Sequence, residues 1–233
     1  MATNNKKSVL LKLSGELLSG KVNSEALESI IKQIKVLKNK CNIGIVIGAG
    51  NIFRGRDGGK ELNLQKSAAD EIGMLATIVN ARTLQAIFEK VEIPSVIYSA
   101  IECPKVAEPI SQNKINLAMK ISLLPIFAGG TGNPYFSTDT TSVLRALQIG
   151  ADEVWKATKV GGIYAEDPIK HPNAKLFKNL TYDEVLEKKL EVMDLTAITL
   201  AKENKITIRV FDLFEDNALI QAFTDPNFGS SVK

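Results

Sequence analysis

The sequence predicts an α/β protein, a three-layer αβα sandwich built around a mostly parallel central sheet. Apolar, β-rich runs alternate along the chain with segments in which apolar residues recur at helical spacing. Such alternation produces βαβ units, which place parallel strands between two layers of helices. The 233 residues contain no evident repeat, low-complexity stretch or linker, so we expect a single domain, 1–233, with two functional lobes.

Apolar runs are predicted to form the strands of the sheet. They cover residues 8–13, 43–47, 95–98, 123–128, 153–156 and 206–211. The run at 43–47, Ile-Gly-Ile-Val-Ile, is apolar on both faces and suits the centre of a parallel sheet. The first run is apolar except for Lys12. A lysine is unusual in such a strand, and this position indicates a functional role.

The segments between these runs are predicted to be helical. They cover residues 24–39, 62–90, 105–117, 142–149, 182–188 and 195–204. The first has an apolar face from Leu27 to Leu37, and Asn23 or Ser24 can cap its N-terminus. The segment 62–90 is predicted to form one long helix or two joined helices. Its length is unusual for a core helix, so we expect part of it to face another subunit.

Composition limits the classes of function. The formal net charge is +3 and the pI is about 8.7, without a dense Lys/Arg block, so we expect an anionic small substrate and no nucleic-acid partner. Cys41 and Cys103 lack metal-site or redox spacing, and the single histidine, His171, leaves little for a His-rich metal site or a catalytic triad. No apolar run reaches transmembrane length, so we expect a cytoplasmic protein with no membrane partner.

The segment Ala128-Gly-Gly-Thr-Gly-Asn-Pro-Tyr-Phe-Ser-Thr-Asp-Thr140 carries the strongest functional signal. It lies between a predicted strand and a predicted helix, and it combines glycines with four hydroxyl side chains. Glycines let backbone N–H groups approach an anion, and a helix N-terminus favours negative charge. Asp139, at the helix start, can cap the helix or orient a cation. The segment therefore predicts a phosphate site.

Two standard phosphate motifs nearly match and then fail. The stretch 15–22 fits the spacing of a P-loop, but Val22 stands where a hydroxyl residue is required. The stretch 48–53 begins as a dinucleotide fingerprint, but Phe53 replaces the third glycine. We therefore expect a phosphate site that is formed by several loops.

Four glycine-containing turns follow predicted strands, and they should converge because ligands of open α/β sheets bind at the carboxyl ends of strands. They are Ser14-Gly15, Gly48-Ala-Gly50, Gly129-Gly130 and Gly161-Gly162. Lys12 is then a cation aimed at a transferring phosphoryl group. Lys156 ends another strand, ahead of a segment with a hydroxyl, glycines, an aromatic ring and a carboxylate, as a nucleotide needs.

Together these residues resemble the bacterial UMP kinases of the amino acid kinase family. The motifs that carry the resemblance are Lys12-Leu-Ser-Gly15, Val46-Ile-Gly-Ala-Gly-Asn-Ile-Phe-Arg-Gly55, Gly73-Met-Leu-Ala-Thr77, Gly129-Gly-Thr-Gly-Asn-Pro134, Lys156-Ala-Thr-Lys-Val160, Val192-Met-Asp-Leu195 and Ile208-Arg-Val-Phe211. The resemblance implies transfer of a phosphoryl group from MgATP to UMP in pyrimidine nucleotide synthesis. It also implies a homohexamer arranged as a trimer of dimers, GTP and UTP as effectors, Mg²⁺ carried with ATP, and no metal site on the protein.

The resemblance also assigns residues to roles. The UMP lobe would lie mainly in the N-terminal part, and the ATP lobe mainly in 150–233. Lys12 and Lys156 would stabilise the transferring group, held by Asp139. The ATP site would use Lys12, Leu13, Ser14, Gly15, Gly50, Arg54, Thr158, Tyr164 and Asp167. The UMP site would use Ala49, Arg54, Asp70, Thr131, Gly132, Asn133, Pro134, Tyr135, Phe136, Ser137 and Thr138.

The chain departs from the family pattern at two positions. Ala49 stands where the family usually has glycine, and Gly161 stands where it usually has aspartate. Two other functions stay open at this point. One is a related kinase that acts on an amino-acid carboxylate or carbamate, and the other is a nucleotide- or oxyanion-binding member of the fold without turnover.

Overall fold

The central sheet is mostly parallel, as predicted. The computed structural model describes residues 6–20, 24–54, 59 and 61–233. The strands in this part of the chain are β1 (Ser8–Leu13), β2 (Asn42–Ile47), β3 (Ser95–Ser99), β4 (Glu108–Pro109), β5 (Leu124–Ala128), β6 (Glu153–Thr158), β7 (Ile163–Tyr164), β8 (Leu176–Phe177), β9 (Asn179–Leu180), β10 (Thr207–Asp212) and β11 (Ser230–Val232). The sheet runs β4-β3-β5-β2-β1-β6-β10-β11-β9, and only β10 and β11 pair antiparallel. The doubly apolar strand β2 lies inside the sheet, between β5 and β1.

Helices cover both faces of the sheet and complete the predicted sandwich. The α-helices that lie wholly within the described residues are α1 (Ser24–Lys40), α2 (Lys66–Lys90), α3 (Gln112–Lys120), α4 (Thr138–Ile149), α5 (Tyr182–Glu187), α6 (Leu195–Asn204) and α7 (Ala218–Thr224). One apolar core takes its helical side chains from α1, α2 and α7. The other core takes them from α3, α4, α5 and α6. Strands β1, β2, β3, β5, β6 and β10 divide their residues between the two cores because successive side chains point to opposite faces.

Strand β1 shows this division and explains the direction of its lysine. Val9, Leu11 and Leu13 lie in the first core, and Leu10 lies in the second. Lys12 has the parity of Leu10, so its side chain lies on the α4 side of the sheet. It therefore reaches the N-terminus of that helix.

Two predicted helices begin later than expected. Helix α2 starts at Lys66 and not at residue 62, because Asn63 adopts a left-handed φ of 51° that no α-helix continues. The helix predicted from residue 105 starts only at Gln112. Glu108 and Pro109 instead pair with β3 at the edge of the sheet, where a strand tolerates proline. Proline also disfavours helical backbone in the residue before it.

Helix α4 begins four residues earlier than predicted, at Thr138. Ser137 caps it, since its hydroxyl accepts hydrogen bonds from the N–H groups of Asp139 and Thr140. The helix ends before Gly150, which adopts left-handed backbone. The prediction that Asp139 lies at the helix start is confirmed. Asn23, a predicted cap of α1, and Val22 lie outside the described residues.

Cys41 is buried, and burial raises the pKa of its thiol to about 11, which agrees with a structural thiol. No α-helix in residues 6–20, 24–54, 59 and 61–233 is long and apolar enough to cross a lipid bilayer.

An ionic cluster joins strands β6 and β10 to Lys7, the residue before β1, at the edge opposite the glycine turns. The carboxylate of Glu153 accepts from Arg209 Nε at 3.0 Å, Lys7 Nζ at 2.9 Å and Trp155 Nε1 at 2.7 Å. Burial alone would raise the pKa of Glu153, but these hydrogen bonds outweigh it and hold the pKa below its usual range. Arg209 is 5% exposed at its side chain, so this pair is nearly dry.

We expect Glu153→Gln to lower the free energy of unfolding by about 3 kcal/mol at neutral pH, because Arg209 then stays buried without a counter-charge. A carboxylate with a lowered native pKa stabilises the fold above the unfolded-state pKa, about 4.3. That contribution is lost as the pH falls through the lower native value. Urea unfolding of both proteins should therefore show a smaller difference at about pH 3 than at neutral pH. An equal difference at both pH values would contradict this role.

Candidate active site

Two lysines meet one carboxylate at the carboxyl edge of the sheet. Lys12 on β1 and Lys156 on β6 are direct register partners, so their side chains lie side by side on one face. Asp139, in the first turn of α4, accepts from Lys156 Nζ at 2.8 Å through Oδ2. Its Oδ1 lies 3.0 Å from Lys12 Nζ as an ion pair. We call Lys12, Asp139 and Lys156 the triad, and each of the three side chains is under one-fifth exposed.

The position of this triad within the sheet is a usual one for a ligand site. The chain builds the sheet from β1 toward β2 and β5 on one side, and then crosses to β6 on the other side. Ligands of open α/β sheets bind where the strand order reverses in this way. Lys12 and Lys156 flank that reversal.

The charges of the triad are strongly coupled. Burial would raise the pKa of Asp139, but the charges of Lys12 and Lys156 outweigh it and hold that pKa below its usual range. Burial lowers the pKa of Lys156, Asp139 opposes this shift, and Lys12 adds to it. The triad therefore carries one net positive charge when both lysines are protonated. A dry positive centre of this kind stabilises an anion.

Asp194 supports the triad, although the sequence analysis assigned it no individual role. Its carboxylate caps α6 through the N–H of Ala197 at 3.0 Å. It also accepts from Thr140 Oγ1 at 2.9 Å and from the Ser137 hydroxyl, which joins α6 to the start of α4. The backbone carbonyl of Val192 accepts from Lys156. An aspartate directly before a helical segment was the available signal.

A cavity of about 360 Å³ opens on one side of the triad, and we name it the Asp70 cavity. Eight of the predicted UMP-site and ATP-site residues line it: Ala49, Gly50, Arg54, Asp70, Tyr135, Phe136, Ser137 and Thr138. Asp70 accepts from the backbone N–H of Tyr135 at 2.8 Å and from Lys66 Nζ at 3.1 Å. Asp70 thereby ties helix α2 to the glycine loop.

Four predicted UMP-site residues do not line that cavity: Thr131, Gly132, Asn133 and Pro134. Thr131 and Asn133 bond to each other, with the Asn133 N–H donating to Thr131 Oγ1 at 3.2 Å. Gly132 lies against Ala100, where an added Cβ would come within 3.1 Å of a carbonyl oxygen. Its φ of 85° also favours glycine. In this conformation the tip of the loop packs on itself.

A second cavity, of about 650 Å³, lies on the other side of the triad, and we name it the Tyr164 cavity. Three predicted ATP-site residues, Thr158, Tyr164 and Asp167, line it together with the predicted catalytic residue Lys156. A smaller cavity of about 210 Å³ is lined by Lys12, Ser14, Lys156 and Thr158, among others. The structure therefore brings both lysines to a space beside the Tyr164 cavity.

Two other predicted ATP-site residues lie away from the cavity walls. The Leu13 side chain is fully buried in the first core, so only its backbone lies at the strand end. A Cβ on Gly15 would come within 2.4 Å of the Gly48 carbonyl oxygen, so glycine is required where two turns approach closely. The described residues contain no group of three His, Cys, Asp or Glu side chains able to hold a metal ion.

A model of the amino acid kinase family matches residues 7–212. The chain belongs to the amino acid kinase family. It is 46% identical over 218 residues to a uridylate kinase of Magnetococcus marinus, covering 91% of this chain and 90% of that protein. It is 44% identical over 231 residues to a uridylate kinase of Thermosipho melanesiensis, covering 97% and 98%. The crystal structure of UMP kinase from Ureaplasma parvum superposes with a TM-score of 0.90 at 31% identity, covering 99% and 97%.

The two departures from the amino acid kinase pattern are sterically mild. Ala49 is buried and lines the Asp70 cavity, where its methyl group occupies little room. A Cβ on Gly161 would meet the Tyr164 hydroxyl at 3.4 Å and Glu215 Oε1 at 3.5 Å, which are ordinary contacts. Glycine at 161 is therefore not a requirement of the fold in this member of the family.

Glu16 links the two sides of this kinase-like site, and the sequence reading assigned it no role. Its carboxylate pairs with Arg54, which lines the Asp70 cavity, and with Lys159 Nζ at 2.6 Å. The hydrogen bond from Lys159 is the main cause of a lowered pKa at Glu16, and Arg54 adds to it. The predicted site residue Arg54 thus has a carboxylate partner here, and its side chain is 57% exposed.

Proposed function

We propose that this chain is a UMP kinase that transfers the γ-phosphoryl group of MgATP to UMP, yielding ADP and UDP for pyrimidine nucleotide synthesis. The observation that carries the proposal is the Lys12–Asp139–Lys156 triad between two separate cavities. The relatives at 44% and 46% identity are uridylate kinases, and this supports UMP as the acceptor.

We assign the Tyr164 cavity to MgATP and the Asp70 cavity to UMP. Lys156 lines the first cavity, so a nucleotide bound there brings its terminal phosphate to the triad. Arg54 and the N-terminus of α4 line the second cavity and favour an anionic phosphate. The two phosphates would then face each other across Lys12 and Lys156.

The proposed transfer needs alignment and charge stabilisation, and no general base. A phosphate oxygen of UMP forms a bond to the γ-phosphorus, while the bond from that phosphorus to the β–γ bridging oxygen breaks and ADP leaves. The acceptor oxygen already carries negative charge, so no proton has to be removed from it. The two lysines stabilise the charge on the transferring group, as cations do in other phosphoryl transfers.

Asp139 acts in this scheme through the lysines. Because it bonds to both, it keeps two like charges side by side in a dry site. It also fixes both side chains relative to α4 and hence to the acceptor cavity. Mg²⁺ enters with ATP as part of the substrate and needs few ligands from the protein.

A substrate panel separates this proposal from a related kinase of the same family. We expect ADP release from MgATP in the presence of UMP, and little with CMP, aspartate, acetylglutamate or carbamate. Release with an amino acid or carbamate, and none with UMP, would refute the proposed acceptor. Binding of ATP without ADP formation under any acceptor would instead favour a binding protein without turnover.

We also propose a homohexamer built as a trimer of dimers, located in the cytoplasm. The exposed apolar side chains Ile72, Leu75 and Val79 on α2 support a subunit contact along that helix. Light scattering behind size exclusion would test the hexamer, for which a mass near six chains is expected. Activation by GTP and inhibition by UTP belong to the same proposal and are tested by effector titration.

A further inference from the structure

A buried arginine lies directly beneath the glycine loop of the Asp70 cavity. Arg145, on helix α4, is only 3% exposed. Its Nη2 donates to the Gly130 carbonyl at 2.8 Å, and its Nη1 donates to Gln148 Oε1 at 2.7 Å. Its guanidinium carbon lies 5.9 Å from the ring centroid of Phe127 on β5. The side chain therefore joins α4, β5 and the loop.

No acidic side chain of the described residues forms an ion pair with Arg145. Burial lowers the pKa of its guanidinium to about 10. Its Nε is buried and has no hydrogen-bond acceptor among the described residues. Burying a charge without a charged partner is costly. An apolar side chain would pack on Phe127 as well, so packing does not account for an arginine here.

The contact with Gly130 explains why an arginine is buried at this position. Gly129 and Gly130 both adopt left-handed backbone, with φ values of 72° and 59°. The Gly129 N–H donates to Thr77 Oγ1 at 2.8 Å, and its carbonyl accepts from the Gly132 N–H at 3.0 Å. Arg145 takes the next carbonyl, that of Gly130. These bonds determine the path of the loop, and Gly130 itself lines the Asp70 cavity.

The same bonds leave loop amides available. Within the described residues, the N–H groups of Gly130 and Thr131 have no acceptor, and of these two residues Gly130 lines the Asp70 cavity. With the Gly130 carbonyl bound to Arg145, the amides are the groups that the loop has left to offer an anion. A carbonyl released from Arg145 would be an unsatisfied acceptor next to an anion site, which is repulsive.

We propose that Arg145 is a positioning residue for the acceptor: by binding the Gly130 carbonyl, it holds the glycine loop in the conformation that receives the acceptor phosphate. The inference rests on the proposed function, since it assigns the Asp70 cavity to UMP. Arg145 does not line that cavity and acts only through Gly130.

Kinetics of three Arg145 variants and one matched control test this role. Arg145→Met and Arg145→Gln remove the guanidinium, and we expect each to raise the KM for UMP about tenfold, the effect of one lost hydrogen bond to a buried carbonyl. The kcat and the KM for MgATP should stay near wild type. Arg145→Lys keeps a charged donor and should recover most of the UMP affinity. Gln148→Ala removes the other partner of Arg145 but leaves the Gly130 contact, so its KM for UMP should be unchanged.

The outcomes separate positioning from plain stability. Thermal unfolding of each variant reports its loss of stability. Gln148→Ala also loses a hydrogen bond of Arg145, so it shows what a loss of stability alone does to the KM for UMP. If Arg145→Met does not fold, Arg145→Gln is compared with Arg145→Lys by the same criteria. A UMP KM that rises equally in Gln148→Ala and the Arg145 variants, or does not rise in either neutral variant, overturns the inference. Absence of UMP-dependent ADP release by the wild-type protein would instead overturn the proposed function.

Discussion

Replacement of Lys12 with alanine is expected to lower kcat by about 10³-fold, because one of two cations facing the transferring phosphoryl group is lost from a nearly dry site. UMP binding should change little, since Lys12 does not line the Asp70 cavity. Initial rates of ADP release give kcat, and calorimetry of UMP binding gives the affinity.

The matched control is Lys202→Ala, which removes an ion-paired lysine of helix α6 that does not line any of the three cavities. It should retain wild-type kcat. If Lys12→Ala also retained kcat, or lost UMP affinity by the same factor as kcat, Lys12 would not act on the transferring group.

Replacement of Asp139 with asparagine is the second large expected effect. Lys12 and Lys156 would then lie side by side without the carboxylate that pairs with both of them, so we expect kcat to fall by about 10²-fold. The free energy of unfolding should fall by about 3 kcal/mol at neutral pH. Asp139 has a lowered native pKa, so its stabilisation is present above the unfolded-state pKa, about 3.9, and is lost as the pH falls.

The pH profile of the Asp139→Asn variant gives an independent reading. Asp139 opposes the burial that lowers the pKa of Lys156, so its loss should lower that pKa further. The alkaline limb of residual kcat should therefore move to lower pH. Asp183→Asn, which unpairs the exposed Lys202, serves as the control and should leave the profile unchanged. An unmoved alkaline limb in Asp139→Asn would contradict the coupling of the triad.

Long, strongly patterned elements of the fold were predictable from sequence. The bounds of β1 and α6 agree with the structure residue for residue, because an apolar strand or a capped amphipathic helix carries its own signal. Strands β4, β7, β8, β9 and β11 were not predicted, since two or three residues are too few to show a period. The 3₁₀ turn Gly15–Leu18 and helix α7 were missed as well.

The centre of the site was predictable for a different reason. Lys12 is a charge in an apolar strand, and Asp139 begins a helix after a glycine loop, so each is unusual in its local context. Lys12 ends a parallel strand and Asp139 begins a helix that follows another, so both lie at the carboxyl edge of the sheet, where they approach to 3.0 Å. Glu16 and Arg145 are ordinary residues in their local sequence, and their roles arise from tertiary contacts with Arg54 and Gly130. Asp194 precedes a helical segment, which indicates a cap but not its contact with Ser137. Local patterns do not encode such contacts.

The most direct test of the central claim is to incubate the wild-type protein with MgATP and UMP and to quantify ADP and UDP by chromatography. Transfer between the two cavities predicts that ADP and UDP form in equimolar amounts and that neither forms when UMP is omitted. ADP without UDP would mean transfer to water, and no ADP despite bound ATP would mean no transfer at all. Either result would contradict the assignment of the triad to phosphoryl transfer onto UMP.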